Sequence, residues 1–230
     1  MYYRHTTVMT VQLPVPDFAA ARRVMVENQL RPVGVTDRAV LEAMGKVPRE
    51  QYVADEVRPL AYGDRSLPLG GGRFMAGPAV IGQLLTQMAP RNGERALVIG
   101  AGTGYSAAVL AAIGCETTAI ECSAELAARA RELGLRIVEG PLQAGHKGGA
   151  PYDLILIDGA VEHLPEAIIK QLADGGRLGT ALIEGGSEGG VARLIIGQKV
   201  SDAFGHLSIG EAGVAPLPGF TSPPAFKFER

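Results

Sequence analysis

From about residue 90 to the C-terminus, short aliphatic runs alternate with segments whose apolar residues recur every three or four positions. Uninterrupted runs suit strands buried on both faces, and the longer spacing suits amphipathic helices. The pattern predicts strands at Ala96–Ile99, Glu116–Ile120, Arg136–Glu139, Leu154–Ile157 and Arg177–Ile183. Between them it predicts helices at Tyr105–Ile113, Ala124–Leu133 and Leu164–Leu172, and Val191–Val200 with His206–Val214 reads as a closing antiparallel pair. Strand–helix alternation of this kind predicts an α/β fold, a doubly wound, mostly parallel sheet with helices on both faces.

The first half has a different texture. A helix is expected from Asp17, its N-cap, to about Leu30, with Phe18, Ala21, Val24, Met25 and Leu30 on one face. A second runs from a Thr36 N-cap to Lys46 and stops at Pro48. Pro59 to Pro78 is rich in Gly and Pro, which predicts a long structured loop or short edge strands. Loops of that length are uncommon unless they serve a site. Pro78–Met88 then reads as a helix. Residues 1–16, with Pro14 and Pro16, are expected to form a flexible arm, leaving 17–230 as a single domain.

Composition narrows the function classes. Of 230 residues, 47% are hydrophobic and 20% charged, as in ordinary globular proteins. A net charge of -2 offers no basic field for a phosphate backbone, so no nucleic-acid partner is expected. No apolar run approaches a membrane span, and the N-terminus does not read as a signal peptide. A cytoplasmic location follows by default, and Cys115 and Cys122 are expected as reduced, buried thiols. His5, His146, His163 and His206 form no ligand spacing, so no metal is assigned.

The main chemical signal is Gly100-Ala101-Gly102-Thr103-Gly104-Tyr105, where a buried strand turns into a helix. Glycines there permit positive φ and close approach of the backbone to a ligand. A dinucleotide fingerprint needs a small residue where Tyr105 stands, so the G-x-G-x-G spacing points to a cofactor without pyrophosphate, S-adenosylmethionine. Glu121 ends the next strand, 21 positions past Gly100, where a carboxylate can accept from both ribose hydroxyls. Asp158, in Asp158-Gly159-Ala160 after the fourth strand, could orient substrate, act as a base, or cap the following helix.

From Met25 to Leu217 the chain resembles the protein-L-isoaspartate (D-aspartate) O-methyltransferase family. The resemblance rests on Met25-Val26-Glu27-Asn28-Gln29-Leu30, Val47-Pro48-Arg49-Glu50, Ala61-Tyr62-Gly63-Asp64, Gly104-Tyr105, Pro151-Tyr152-Asp153, Gly175-Gly176-Arg177-Leu178 and Pro216-Leu217, all in family order. It implies a Rossmann-like methyltransferase that moves a methyl group from S-adenosylmethionine to a carboxylate of a damaged aspartyl residue in a protein or peptide. It also implies a cofactor seat of Gly100, Ala101, Gly102, Thr103, Gly104, Tyr105, Glu121, Cys122 and Gly140. Asp64 on the substrate-side loop and Asp158 are the candidate catalytic residues.

The departures sit at the site. Where the family carries the serine of Thr-Ile-Ser, at the reaction centre, this chain has Ala76, and the acidic residue two before the first glycine is Val98. The family's adenine-holding aspartate in Gly-Asp-Gly is Pro141, and its small/Thr-Ala-Ala run is Asp158-Gly159-Ala160. The alternative reading is therefore a relative without catalysis that acts as a binding or scaffolding protein. Oligomeric state is not legible from the sequence.

Overall fold

The structure is a computed structural model, and it describes residues 17–184 and 191–221. The expected N-terminal arm lies outside the described residues. Helix α1 (Phe18–Met25) starts where Asp17 accepts from the Ala20 amide at 2.9 Å, and its last turn widens into a π-helical turn over Val26–Leu30. Helix α2 (Arg38–Lys46) is capped by Asp37, whose carboxylate takes the Val40 amide at 3.0 Å. Thr36, the expected cap, stands one residue too early to reach that donor.

The Gly/Pro-rich stretch contains β1 (Leu67–Gly70) and β2 (Arg73–Met75), a two-stranded hairpin outside the main sheet. Helix α3 (Pro78–Met88) follows, with proline in its first turn, where a missing amide costs nothing. Its Ala79 amide is taken by Asp64 from fifteen residues upstream, at 3.1 Å.

Among the described residues the main sheet has seven strands: β3 (Arg95–Ile99), β4 (Glu116–Glu121), β5 (Ile137–Glu139), β6 (Tyr152–Val161), β7 (Leu172–Glu184), β8 (Val191–Val200) and β9 (Ala203–Glu211). Their spatial order is β5-β4-β3-β6-β7-β8-β9, parallel from β5 through β7 and antiparallel thereafter. The order reverses between β3 and β6, which makes their carboxyl ends the place where such sheets hold ligands. Helices α4 (Tyr105–Ile113) and α5 (Ala124–Glu132) connect β3, β4 and β5. Alternate residues of β3 enter two cores. Ala96 and Val98 join the core packed by α1 to α5, while Leu97 and Ile99 join the other with Ile168 and Phe220. That double burial is why β3 reads as a continuous aliphatic run.

Three expected elements differ. The helix at Leu164–Leu172 shrinks to α6 (Glu166–Ile169), because Leu172 is already a buried strand residue paired with Tyr152. Strand β9 begins at Ala203 because a tight turn at Ser201, with φ 55°, sends the chain straight back along β8. Asp158 lies inside β6, not after it, at a bulge where β6 slips register against β7 between Leu156 and Ala160. Such bulges re-aim side chains. Among the described residues no helix is long and apolar enough to cross a membrane.

Candidate cofactor and substrate site

The glycine loop leaves β3 at the switch point, with Gly100, Gly102 and Gly104 at φ 75°, 58° and 97°. These values lie in the left-handed region that glycine enters without steric cost. The amides of Gly100 and Ala101 both donate to the Ile120 carbonyl, and that of Gly104 donates to Ala101. A Cβ on Gly104 would stand 2.1 Å from Leu135 Cδ1. Gly104→Ala is therefore expected to lower unfolding free energy by about 1–3 kcal/mol, read by urea denaturation, through backbone strain and repacking of Leu135.

Glu121 is fully buried beneath this loop. Its Oε2 accepts the Gly102 amide at 2.7 Å, and its Oε1 accepts the Cys122 and Ser123 amides at 2.8 and 3.1 Å. The carboxylate thus knits the glycine loop to the start of α5. A further donor comes from the hairpin: Arg73 Nη1 meets Glu121 Oε1 at 3.0 Å, while Nη2 donates to the Gly100 carbonyl at 2.9 Å. Leu69 of the hairpin and Leu217 lie directly over Gly102 and Gly100, 2.6 and 2.9 Å from where a Cβ would be. Leu217 is brought there by the segment Ala215–Leu217, which pairs along the end of β6 at Ala160.

The bulge in β6 delivers Asp158 to the other side of the loop. Ser106, in the first turn of α4, donates its hydroxyl to Asp158 Oδ2 at 2.6 Å. Burial pushes the Asp158 carboxyl up to about 6, while the Ser106 hydroxyl and the Arg73 and Arg49 charges pull the other way. Arg49 is itself fully buried, donating to the carbonyls of Ala61 at 2.8 Å and Ala76 at 2.6 Å, with its guanidinium 4.6 Å from the Tyr105 ring centroid. Arg49 Nη1, Tyr105 Oη and Asp158 Oδ1 are buried polar atoms with no hydrogen-bond partner among the described residues. Buried polar atoms of that kind cost free energy unless something satisfies them.

Comparison with known proteins agrees with this geometry. The family model described as protein-L-isoaspartate(D-aspartate) O-methyltransferase matches residues 21–188. A protein-L-isoaspartate O-methyltransferase of Methylorubrum extorquens is 42% identical over 92% of this chain and 94% of its own length. A second, from Marinobacter nauticus, is 38% identical over 88% and 95%. The chain belongs to this family.

Among solved structures, a protein-L-isoaspartate O-methyltransferase superposes with a TM-score of 0.75, at 23% identity, over 87% of this chain and 67% of its own. A Plasmodium falciparum beta-aspartate methyltransferase in complex with S-adenosyl-L-homocysteine gives 0.71, at 18% identity, over 85% and 97%. At those identities the likeness concerns the fold, a Rossmann-like methyltransferase sheet. S-adenosylmethionine is the methyl donor of the family, and the donor set here fits it. A glycine loop at the switch point and a buried carboxylate at the tip of the next strand are what its nucleoside requires.

The remaining candidates of this methyltransferase scatter around that centre. Cys122 follows Glu121 and is exposed, contrary to the expected burial, whereas Cys115 is buried, and both are free thiols. Gly140 donates to the Glu121 carbonyl at 3.2 Å, which sets it beside that strand end. Thr103 and Tyr105 turn inward under the loop, Thr103 to the Tyr52 carbonyl and Tyr105 against the Tyr52 ring. Asp64 caps α3 next to Gly77, one residue from Ala76. Arg73, Arg49 and Ser106 were given no part by sequence reasoning. Arg49 stood in a family motif without a role, and nothing in the pattern around Arg73 marked it.

Proposed function

We propose that this family member is an active carboxyl methyltransferase that repairs isoaspartyl residues in proteins. The observation that supports this most is Glu121, buried and held by three backbone amides at the end of β4, in register with a glycine loop at the switch point. Its oxygens are the acceptors a ribose diol calls for. Gly100 to Gly104 provide the close backbone approach, with Cys122 and Gly140 at the nucleoside side.

The cofactor supplies a methyl group on a positively charged sulfur. A carboxylate needs little activation to take it, so the chain's work is positioning and exclusion of water. Ala76 brings no hydroxyl to the reaction centre. We assign its orienting task to the neighbouring polar group of Asp158, Ser106, Tyr105 and the Arg49 guanidinium bonded to the Ala76 carbonyl. Asp64, fixed at the start of α3, holds the backbone that carries Ala76 and Gly77. We place the protein's work in the cytoplasm, where two free thiols persist.

The test is transfer of a labelled methyl group from S-adenosylmethionine to an isoaspartyl peptide, with the aspartyl isomer as control. Base-labile label confined to the isoaspartyl peptide is expected, and equal label in both would overturn the reading. One observation, Arg73 seated on Glu121, favours the alternative of a binding protein without catalysis. That alternative predicts no transfer at any peptide concentration.

A further inference from the structure

The Arg73–Glu121 pair has a consequence for how the two substrates bind. Among the described residues five hydrogen bonds converge on the Glu121 carboxylate, four of them on Oε1. Three of the five come from backbone amides of the loop and of the start of α5, and one from the adjacent Cys122 thiol at 3.4 Å, all of them part of the seat. The fifth comes from Arg73, which reaches in from a different element and is only 5% exposed. Leu69, from the same hairpin, covers Gly102. Glu121 can serve a ribose diol only if the guanidinium leaves, so the present position of Arg73 and the bound nucleoside exclude one another.

The hairpin is built to let it leave. It is a two-stranded sheet whose strands are anchored in the main core by Leu67, Leu69 and Met75, so its freedom to move lies at the turn. Its turn is Gly70-Gly71-Gly72, all at positive φ and all with open space where a Cβ would stand. Arg73 follows that turn directly. A guanidinium removed from a buried carboxylate cannot remain uncompensated in the same low-dielectric space. Arg73 acts electrostatically on Asp158 as well as pairing with Glu121, so a released guanidinium stays beside the polar group assigned above to the substrate's carboxylate.

We propose that Arg73 is a substrate-binding residue that is exchanged between Glu121 and the carboxylate of the isoaspartyl substrate, so that filling the nucleoside seat delivers a guanidinium to the second substrate. This rests on the function proposed above. Binding is then ordered, cofactor first. In the reaction the carboxylate oxygen forms the new bond to the methyl carbon as the sulfur–methyl bond breaks, with its electron pair staying on sulfur. The carboxylate and the sulfonium both become neutral. The ester loses its hold on Arg73, and the guanidinium returns to Glu121 as the products leave.

The test is calorimetry with S-adenosylhomocysteine and with an isoaspartyl peptide, on the wild-type protein, Arg73→Ala and Arg73→Lys. Removing the competitor for Glu121 is expected to tighten S-adenosylhomocysteine by about tenfold or more, the worth of one charge-assisted hydrogen bond. The same Arg73→Ala protein, saturated with S-adenosylhomocysteine, is expected to bind the peptide at least about tenfold more weakly, with Arg73→Lys recovering part of that loss. Backbone amides of residues 70–75 are expected to exchange faster when wild-type protein is loaded. Unchanged or weaker S-adenosylhomocysteine binding by Arg73→Ala overturns the proposal, as does unchanged peptide affinity. Both binding changes without methyl transfer would leave the exchange standing and sink the repair activity alone.

Discussion

Glu121→Gln is expected to abolish cofactor binding and to cost about 3–5 kcal/mol of stability, the scale seen when one partner of a buried ion pair is removed. The reason is local and specific. The carboxylate takes the Gly102, Cys122 and Ser123 amides and one arm of Arg73 in a fully buried position. A glutamine presents an amide NH2 to at least one of those donors, and it leaves Arg73 without a counter-charge. Calorimetric titration with S-adenosylhomocysteine should show at least about a hundredfold loss of affinity, since two charge-assisted hydrogen bonds to the ribose go together. Urea unfolding reads the stability part. A Glu121→Gln protein that binds S-adenosylhomocysteine as wild type does would remove the ribose role from this residue. The contrast with Arg73→Ala is informative, because that change leaves Glu121 with its three backbone donors and should strengthen the same titration.

The second large effect belongs to Asp158. Its carboxyl is held up to about 6 chiefly by burial, against an ordinary value near 3.8. The native state therefore holds this proton more tightly than the unfolded chain does. By linkage the stabilisation is fully present below about pH 4 and is lost as pH rises through about 6, an effect of roughly 3 kcal/mol for a shift of about two units. In the Asp158→Asn protein the Ser106 hydroxyl still has an amide oxygen to donate to, but nothing ionises. Its stability between pH 4 and 7 should lose that downward slope, so that it is the more stable protein at neutral pH and the less favoured one near pH 4. Paired thermal melts across this range make the measurement, and parallel profiles would refute the assignment. Methyl transfer supplies an independent readout. If Asp158 orients the substrate, the wild-type rate should change across pH 6 and the Asp158→Asn rate should not.

Much of this protein could be read along the chain. The alternation of aliphatic runs and helical spacing identified every parallel strand. Its limits came where an apolar residue could serve either element, as Leu172 shows. Strand β7 claimed Leu172 for its pairing with Tyr152, and the expected helix was left with one turn. The N-cap moved from Thr36 to Asp37 because a cap is decided by which oxygen reaches the amide three residues on, a distance that residue type alone does not set.

The sequence by itself determined the features whose cause is local. Gly100, Gly102 and Gly104 are required by the backbone angles of one turn, and Glu121 is placed by the length of a single βαβ unit, so both are written in short-range spacing. What only the tertiary structure decided are the partners these residues meet. Arg73 reaches Glu121 across 48 residues, Ser106 reaches Asp158 across 52, and Arg49 reaches the Ala76 carbonyl across 27. No periodicity encodes such pairs, because they form when separate elements pack against one sheet edge. The glycine turn and the carboxylate at the tip of the next strand were therefore legible, and the arginine that pairs with that carboxylate was not.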